Sequence, residues 1–216
     1  MTERALVPRG LSAHRPAWVG LAALLVFTAI AIAMVTGATV GPDRAGLRWM
    51  HAHAVPALDA PAWWLARAGY GWGVLPFDAL LVVVLLVMRR GRDASFAALA
   101  LGGGLLLNKA LKLAFARPRP VLDWPAAEIQ TTFSFPSGHA MATATLATVL
   151  TALAWRSRWR WPVALAAWGF ALLVAASRVL LGVHFPSDVV AGAAIGIAWG
   201  SAVWWAVADR RGMVPG

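Results

Sequence analysis

The sequence predicts an all-α membrane protein, a polytopic bundle of six transmembrane helices. Three observations carry that prediction. First, 60% of the 216 residues are hydrophobic and only 13% are charged, where a soluble domain is about a quarter charged. Second, the chain contains six apolar runs, each close to the roughly 20 residues that a helix needs to cross the hydrocarbon core. Third, small groups of arginine recur at alternate gaps between those runs, as expected when cytoplasmic loops keep an excess of basic residues.

The runs lie at about 17–36, 71–88, 95–116, 139–155, 161–180 and 187–208. The first follows Arg4, Arg9 and Arg15 as a signal peptide would, but it exceeds the 7–15 residues of a usual signal core. It therefore reads as a retained span. Spans three and six hold Gly102-Gly103-Gly104 and the small residues from Gly192 to Gly200, which let helices approach closely.

Arg4, Arg9 and Arg15 precede span one, Arg89, Arg90 and Arg92 separate two from three, Arg156, Arg158 and Arg160 separate four from five, and Arg210 and Arg211 follow six. Both termini are thus expected in the cytoplasm. The opposite face holds Arg44, Arg48 and Arg67 in a long first loop, then Lys109, Lys112, Arg117, Arg119 and Arg178. Tryptophans such as Trp63, Trp64, Trp155, Trp159, Trp161, Trp204 and Trp205 fall at span ends, where the ring anchors at headgroup level. The formal charge of +10 is spread between apolar runs without a basic stripe, so nucleic acid is not an expected partner. Cysteine is absent, which excludes disulfides and thiolate metal sites. With no linker or repeat visible, residues 1–216 read as a single membrane-embedded domain.

Three polar motifs fall on the outer ends of the spans. Span three closes with "KLAFARPRP", containing Lys112, Arg117 and Arg119, where Pro118 and Pro120 stop the helix. Span four opens with "FPSGHA", from Pro136 through Ser137, Gly138 and His139. "SRVLLGVHFPSD", from Ser177 and Arg178 to His184 and Asp188, joins span five to span six. Lys112, Arg119 and Arg178 converging near a low-dielectric boundary would repel one another and be costly to desolvate, so an anion is expected among them. A helix start with a hydroxyl and a glycine adds free N–H groups and the positive end of a dipole. A multiply charged oxyanion suits that site.

The histidines imply chemistry beyond binding. His184 lies four residues before Asp188, and Pro186 marks a helix start between them. A carboxylate in the first turn can then reach one imidazole nitrogen and leave the other free to attack phosphorus. His139, heading span four, can protonate the departing oxygen and later activate water. A Ser–His–Asp hydrolase fits less well, because Ser137 and His139 are two apart on a helix start and no G-x-S-x-G is present. Activity that needs one neutral and one protonated histidine has a bell-shaped pH profile. His51 and His53 lack acidic or histidine companions and read as loop or interfacial residues. Asp78 and Lys109 fall at similar depth and are expected to pair, since a buried charge alone is costly.

Together these motifs resemble those of the type 2 phosphatidic acid phosphatase superfamily: K-x6-R-P as Lys112 to Arg119-Pro120, P-S-G-H as Pro136 to His139, and S-R-x5-H-x3-D as Ser177-Arg178 to His184 and Asp188. The resemblance implies a membrane lipid phosphatase with His184 as nucleophile, Asp188 as its partner and His139 as acid/base. Lys112, Arg119, Ser137, Gly138 and Arg178 would be phosphate ligands, with no metal or other cofactor. It implies a lipid phosphate as substrate, entering sideways from the bilayer, and the arginine distribution places the site on the outward face of an inner-membrane enzyme. Undecaprenyl diphosphate, phosphatidylglycerophosphate and phosphatidate all fit a small cationic pocket, with residues 37–70 and 121–135 expected to discriminate between them. The side on which the site opens favours a broad or an undecaprenyl diphosphate activity. The competing expectation is a lipid or anion transporter that uses the same cations for binding alone, against which six spans without an inverted repeat argue.

Overall fold

The computed structural model describes residues 15–122 and 131–209, and among them every regular element is helical. In chain order they are α1 (Arg15–Val35), α2 (Val40–His53), a 3-10 turn (Pro56–Leu58), α3 (Asp59–Ala68), α4 (Val74–Val87), α5 (Gly91–Phe115), α6 (Gly138–Ala154), α7 (Arg160–Leu180) and α8 (Pro186–Asp209). Each of the six apolar runs is a helix within a few residues of its expected bounds.

Four of them, α1, α5, α7 and α8, are long and apolar enough to cross a membrane. The other two are shorter: α4 has 14 residues and α6 has 17, or about 21 and 26 Å at 1.5 Å per residue. The expected six spans are thus four of full length and two short apolar helices. At the start of α4, Gly73 packs on the backbone of Ala68, so a turn occupies residues that the apolar run alone assigned to the span.

The core forms where α8 packs against α1 and α6, and α6 against α7. Gly192 and Gly196 let α8 lie on the backbone of α6: a Cβ on Gly192 would stand 2.5 Å from the carbonyl oxygen of Ser137, and one on Gly196 would stand 2.6 Å from that of Met141. On the outer faces, Leu25, Val83, Leu106, Leu165 and Leu172 are exposed, as an apolar solvent around the bundle requires. Arg90, Arg156 and Arg160 line one cavity with Pro16 of α1, which gathers basic groups of the expected cytoplasmic side at one end. Arg4, Arg9, Arg210 and Arg211 lie outside the described residues.

Two expectations change. The first outer loop, residues 37–70, is mostly helical. Helix α2 buries Asp43 and Leu47 on one face and exposes Arg44, Arg48 and Trp49 on the other, an i, i+4 pattern too polar to be read as a span. Asp78 and Lys109 do not pair. Asp78 is 8% exposed, and its Oδ1 has no hydrogen-bond partner among the described residues. It lines a small cavity with Asn108, whereas Lys109 is exposed. Depth matched, but neighbouring residues on a helix point about 100° apart, and Asn108 holds the inward direction. His51 and His53 end α2, where His53 stacks on Trp49 with ring centroids 4.7 Å apart.

Candidate active site

The three motifs meet at one end of the bundle because four helix ends meet there. Helix α5 stops at Phe115, where Ala116 adopts a left-handed conformation (φ 44°) and its N–H bonds to the Lys112 carbonyl. The prolines then keep residues 117–120 out of the helix. Helix α7 ends at Leu180, and Gly182, with φ 69°, turns the chain back so that the N–H groups of Val183 and His184 both donate to the Arg178 carbonyl. That return lays His184 over the last turn of α7.

Helix α8 starts with Pro186 as its first residue. Asp188 in the first turn accepts a 3.0 Å bond from the Phe185 N–H, the reach-back half of a capping box. Its backbone carbonyl accepts the N–H of Ser137, 3.0 Å away, which joins the starts of α6 and α8.

The Asp188 carboxylate is fully buried and divides its two oxygens between different partners. Oδ2 accepts the Ser134 hydroxyl and lies 3.5 Å from His184 Nδ1. Oδ1 lies 2.5 Å from Arg117 Nη1. His184 is 1% exposed, and its Nε2 lies 3.4 Å from Arg119 Nη1. The imidazole therefore turns Nδ1 toward the carboxylate and Nε2 toward a cation that is also a motif residue. Burial pushes the His184 pKa below its usual value to about 4; contact with Asp188 opposes this, while Arg119 and Lys112 add to it.

The remaining motif residues lie close by. Lys112 is within electrostatic reach of Arg119, Arg178 and Asp188, and its ammonium donates to the Phe133 carbonyl. Arg119 donates to the carbonyls of Thr132 and Val183, both at 2.7 Å. Arg178 is wholly buried, and His139 lies within electrostatic reach of it, of His184 and of Arg119. Ser137, the residue before α6, is buried, and its hydroxyl has no hydrogen-bond partner among the described residues. A Cβ on Gly138 would stand 3.0 Å from Asn108 Oδ1. All eight motif residues, Lys112, Arg119, Ser137, Gly138, His139, Arg178, His184 and Asp188, thus surround one small volume.

Sequence reasoning did not single out five other residues in this volume. Ser134 donates to Asp188, Asn108 donates to the Pro136 carbonyl at 3.4 Å, and the Tyr70 ring lies against His139 at a tilt of 31° with centroids 4.9 Å apart. Asp43 binds Arg117 Nη2 at 2.7 Å, and Thr132 holds Arg119 through both its carbonyl and its hydroxyl. Only Ser134, two residues before Pro136, had a sequence signal, its nearness to a motif. Residues 123–130 of the expected specificity segment lie outside the described residues.

Chemically the cluster offers a buried neutral imidazole held by a carboxylate, a second imidazole, three cations, and a helix start with an unpartnered hydroxyl. That combination stabilises an oxyanion and can exchange a group with it.

A PAP2 superfamily profile matches residues 93–212. Phosphatidylglycerophosphatase B of Bacillus subtilis is 32% identical over 178 residues, covering 80% of this chain and 87% of that protein. An undecaprenyl-diphosphatase of Sulfolobus acidocaldarius is 28% identical over 185 residues, covering 83% and 85%. The crystal structure of the transmembrane PAP2-type phosphatidylglycerolphosphate phosphatase from Bacillus subtilis superposes with a TM-score of 0.78 at 28% identity, over 94% of this chain and 98% of that one. The crystal structure of Aquifex aeolicus LpxE gives 0.61 at 29% identity, over 73% and 91%.

Proposed function

The chain belongs to the PAP2 superfamily and is a membrane lipid phosphatase, and we propose that it cleaves a lipid diphosphate or phosphomonoester through a phosphohistidine on His184. The observation that carries this reading is the division of the His184 ring, with Nδ1 facing Asp188 and Nε2 facing Arg119. A lone pair on Nε2 then points to where the cations would hold phosphate.

In the first step Nε2 bonds to phosphorus as the bond from phosphorus to the lipid-side oxygen breaks, and protonated His139 gives that oxygen its proton. Asp188 offsets the positive charge that develops on the imidazole. In the second step His139 takes a proton from water, the resulting hydroxide attacks phosphorus, and the P–N bond breaks to release phosphate and neutral His184. Lys112, Arg119, Arg178, the Ser137 hydroxyl and the N–H groups at the start of α6 stabilise the equatorial oxygens. No step calls on a metal.

The named activities of two relatives, on phosphatidylglycerophosphate and on undecaprenyl diphosphate, support those lipids as candidates, with phosphatidate as a third. Six crossings, cytoplasmic termini and an outward-facing site complete the reading, in which residues 1–216 form one domain of the inner membrane. An outward site favours undecaprenyl diphosphate, whose lipid tail stays in the bilayer while the diphosphate reaches the cations. The test is phosphate release from the three lipids in parallel, by purified protein in detergent and excess chelator, beside a His184→Ala control. Release by the wild type alone supports the reading and ranks the lipids. No release from any of them by folded protein contradicts it.

A further inference from the structure

The polar contacts of Arg117 turn away from the two histidines, toward α2 and the start of α8. Its side chain is 9% exposed. Nη1 donates to Asp188 Oδ1 at 2.5 Å and to Ser187 Oγ at 2.9 Å. Nη2 donates to Asp43 Oδ2 at 2.7 Å and lies 3.4 Å from Thr39 Oγ1. The guanidinium carbon stands 4.2 Å from the centre of the Phe185 ring. Asp43, 2% exposed, also accepts the Ser187 N–H at 2.9 Å and the Ser187 hydroxyl at 2.6 Å. A carboxylate, a guanidinium and a second carboxylate thus form a buried row from α2 to the start of α8.

Burying three charges is costly, and such a row is weak support for stability by itself. Its geometry has another consequence. Asp188 has two oxygens, and His184 needs one of them. With Oδ2 accepting from the Ser134 hydroxyl and the Phe185 N–H, Arg117 on Oδ1 completes the hold on the carboxylate plane, and Oδ2 stays turned toward Nδ1 of the imidazole. A guanidinium serving Asp188 alone would also cancel the negative charge that a phosphorylated imidazole requires beside it. Asp43 shares that guanidinium, so the row keeps a net negative charge and Arg117 is kept from swinging toward the phosphate. At metal sites, groups that hold a ligand from behind in this way alter activity about 10- to 100-fold when removed, and a nucleophile held from behind is expected to respond on the same scale.

We propose that Asp43 and Arg117 are a positioning pair for the nucleophile: together they orient Asp188 and preserve its negative charge for His184, without touching the substrate. The inference rests on the proposed role of His184. It also makes α2, an outer helix with no motif of its own, part of the catalytic apparatus.

The test measures kcat and KM for phosphate release from phosphatidate and undecaprenyl diphosphate by the full chain in detergent, for the wild type, His184→Ala, Asp43→Asn, Arg117→Gln and Arg117→Lys. Thermal melting and gel filtration are run on each. Asp43→Asn and Arg117→Gln should each lower kcat about 10- to 100-fold with KM close to wild type. Arg117→Lys should recover part of kcat, since a lysine can serve Asp188 but not both carboxylates in one plane. A variant carrying both Asp43→Asn and Arg117→Gln should lose little more than Arg117→Gln alone.

A raised KM with kcat preserved would make Arg117 a substrate ligand and overturn the proposal. Full kcat in folded Arg117→Gln overturns it too. Should Arg117→Gln fail to fold, the isosteric Asp43→Asn decides alone, because Asp43 reaches Asp188 only through Arg117 and Ser187; undiminished kcat there refutes the pair. Activity surviving His184→Ala overturns the parent reading and this one together. An inactive His184→Ala confines the other outcomes to Asp43 and Arg117.

Discussion

Nδ1 of His184 lies 3.5 Å from Oδ2 of Asp188, one turn into the helix that Pro186 begins. The contact is longer than a strong hydrogen bond, as catalytic contacts often are before substrate tightens them. Its worth lies in direction, because it fixes which imidazole nitrogen is left to react. Asp188→Asn keeps the shape but removes the charge that favours an Nδ1 proton and steadies the imidazolium. Activity should fall by on the order of 10²- to 10⁴-fold with KM little changed, as measured by steady-state phosphate release beside a melting curve.

The pH dependence follows from the burial of His184. Its folded pKa of about 4 lies below the ordinary value of about 6.5, so the neutral nucleophile persists well into acid. Asp188 and Ser134 face Nδ1, Arg119 faces Nε2, and Lys112 is nearby. The acid limb of kcat/KM, which reports the free enzyme, should therefore break near pH 4. A break near pH 6.5 assigned to His184 would contradict the burial. Folding responds with the same sign. The depressed pKa contributes stability that is complete above about pH 6.5 and is lost as pH falls to about 4, below which the contribution no longer changes. Melting temperatures of wild type and His184→Ala across that interval should diverge accordingly.

The cations are expected to act on binding. Arg119→Gln removes a charged donor beside Nε2, and such a bond is worth about 1.5–3 kcal/mol. Apparent affinity for orthovanadate, a phosphate-like oxyanion, should drop about 10- to 100-fold in inhibition assays. Unchanged vanadate inhibition would remove Arg119 from the phosphate site.

Gly192→Ala tests how tightly α8 holds the start of α6. The added Cβ would meet the Ser137 carbonyl at 2.5 Å, and backbone rather than a flexible side chain must yield. Overpacking of this kind costs about 1–3 kcal/mol. A lower melting temperature should appear together with reduced activity, because Ser137 moves with the helix start.

The sequence made the eight motif residues and the positions of the apolar helices legible for physical reasons that act locally. Apolar length marks a helix in lipid, proline and glycine mark where it stops, and clustered cations at such an end call for an anion. The small residues from Gly192 to Gly200 likewise announced a close helix approach, though not that α6 is the partner. What stayed hidden depends on azimuth and on distant pairing. Lys109 and Asp78 matched in depth but not in direction, because Asn108 occupies the inward face. Asp43 sits in a polar stretch with no motif, and its tie to Arg117 spans 74 residues. Helix α2 itself was hidden because a search for spans passes over a short amphipathic helix. The shortness of α4 was equally out of reach, since the turn at Gly73 is set by packing on Ala68.

The most direct test of the account is to look for phosphate on His184. The enzyme is mixed in excess with lipid carrying labelled phosphate, quenched within a turnover under alkaline denaturing conditions that preserve phosphohistidine, digested, and read by mass spectrometry. The account predicts label on the peptide containing His184 in the wild type and none in His184→Ala. Label on a different residue, or turnover within the same interval with His184 never labelled, would contradict it.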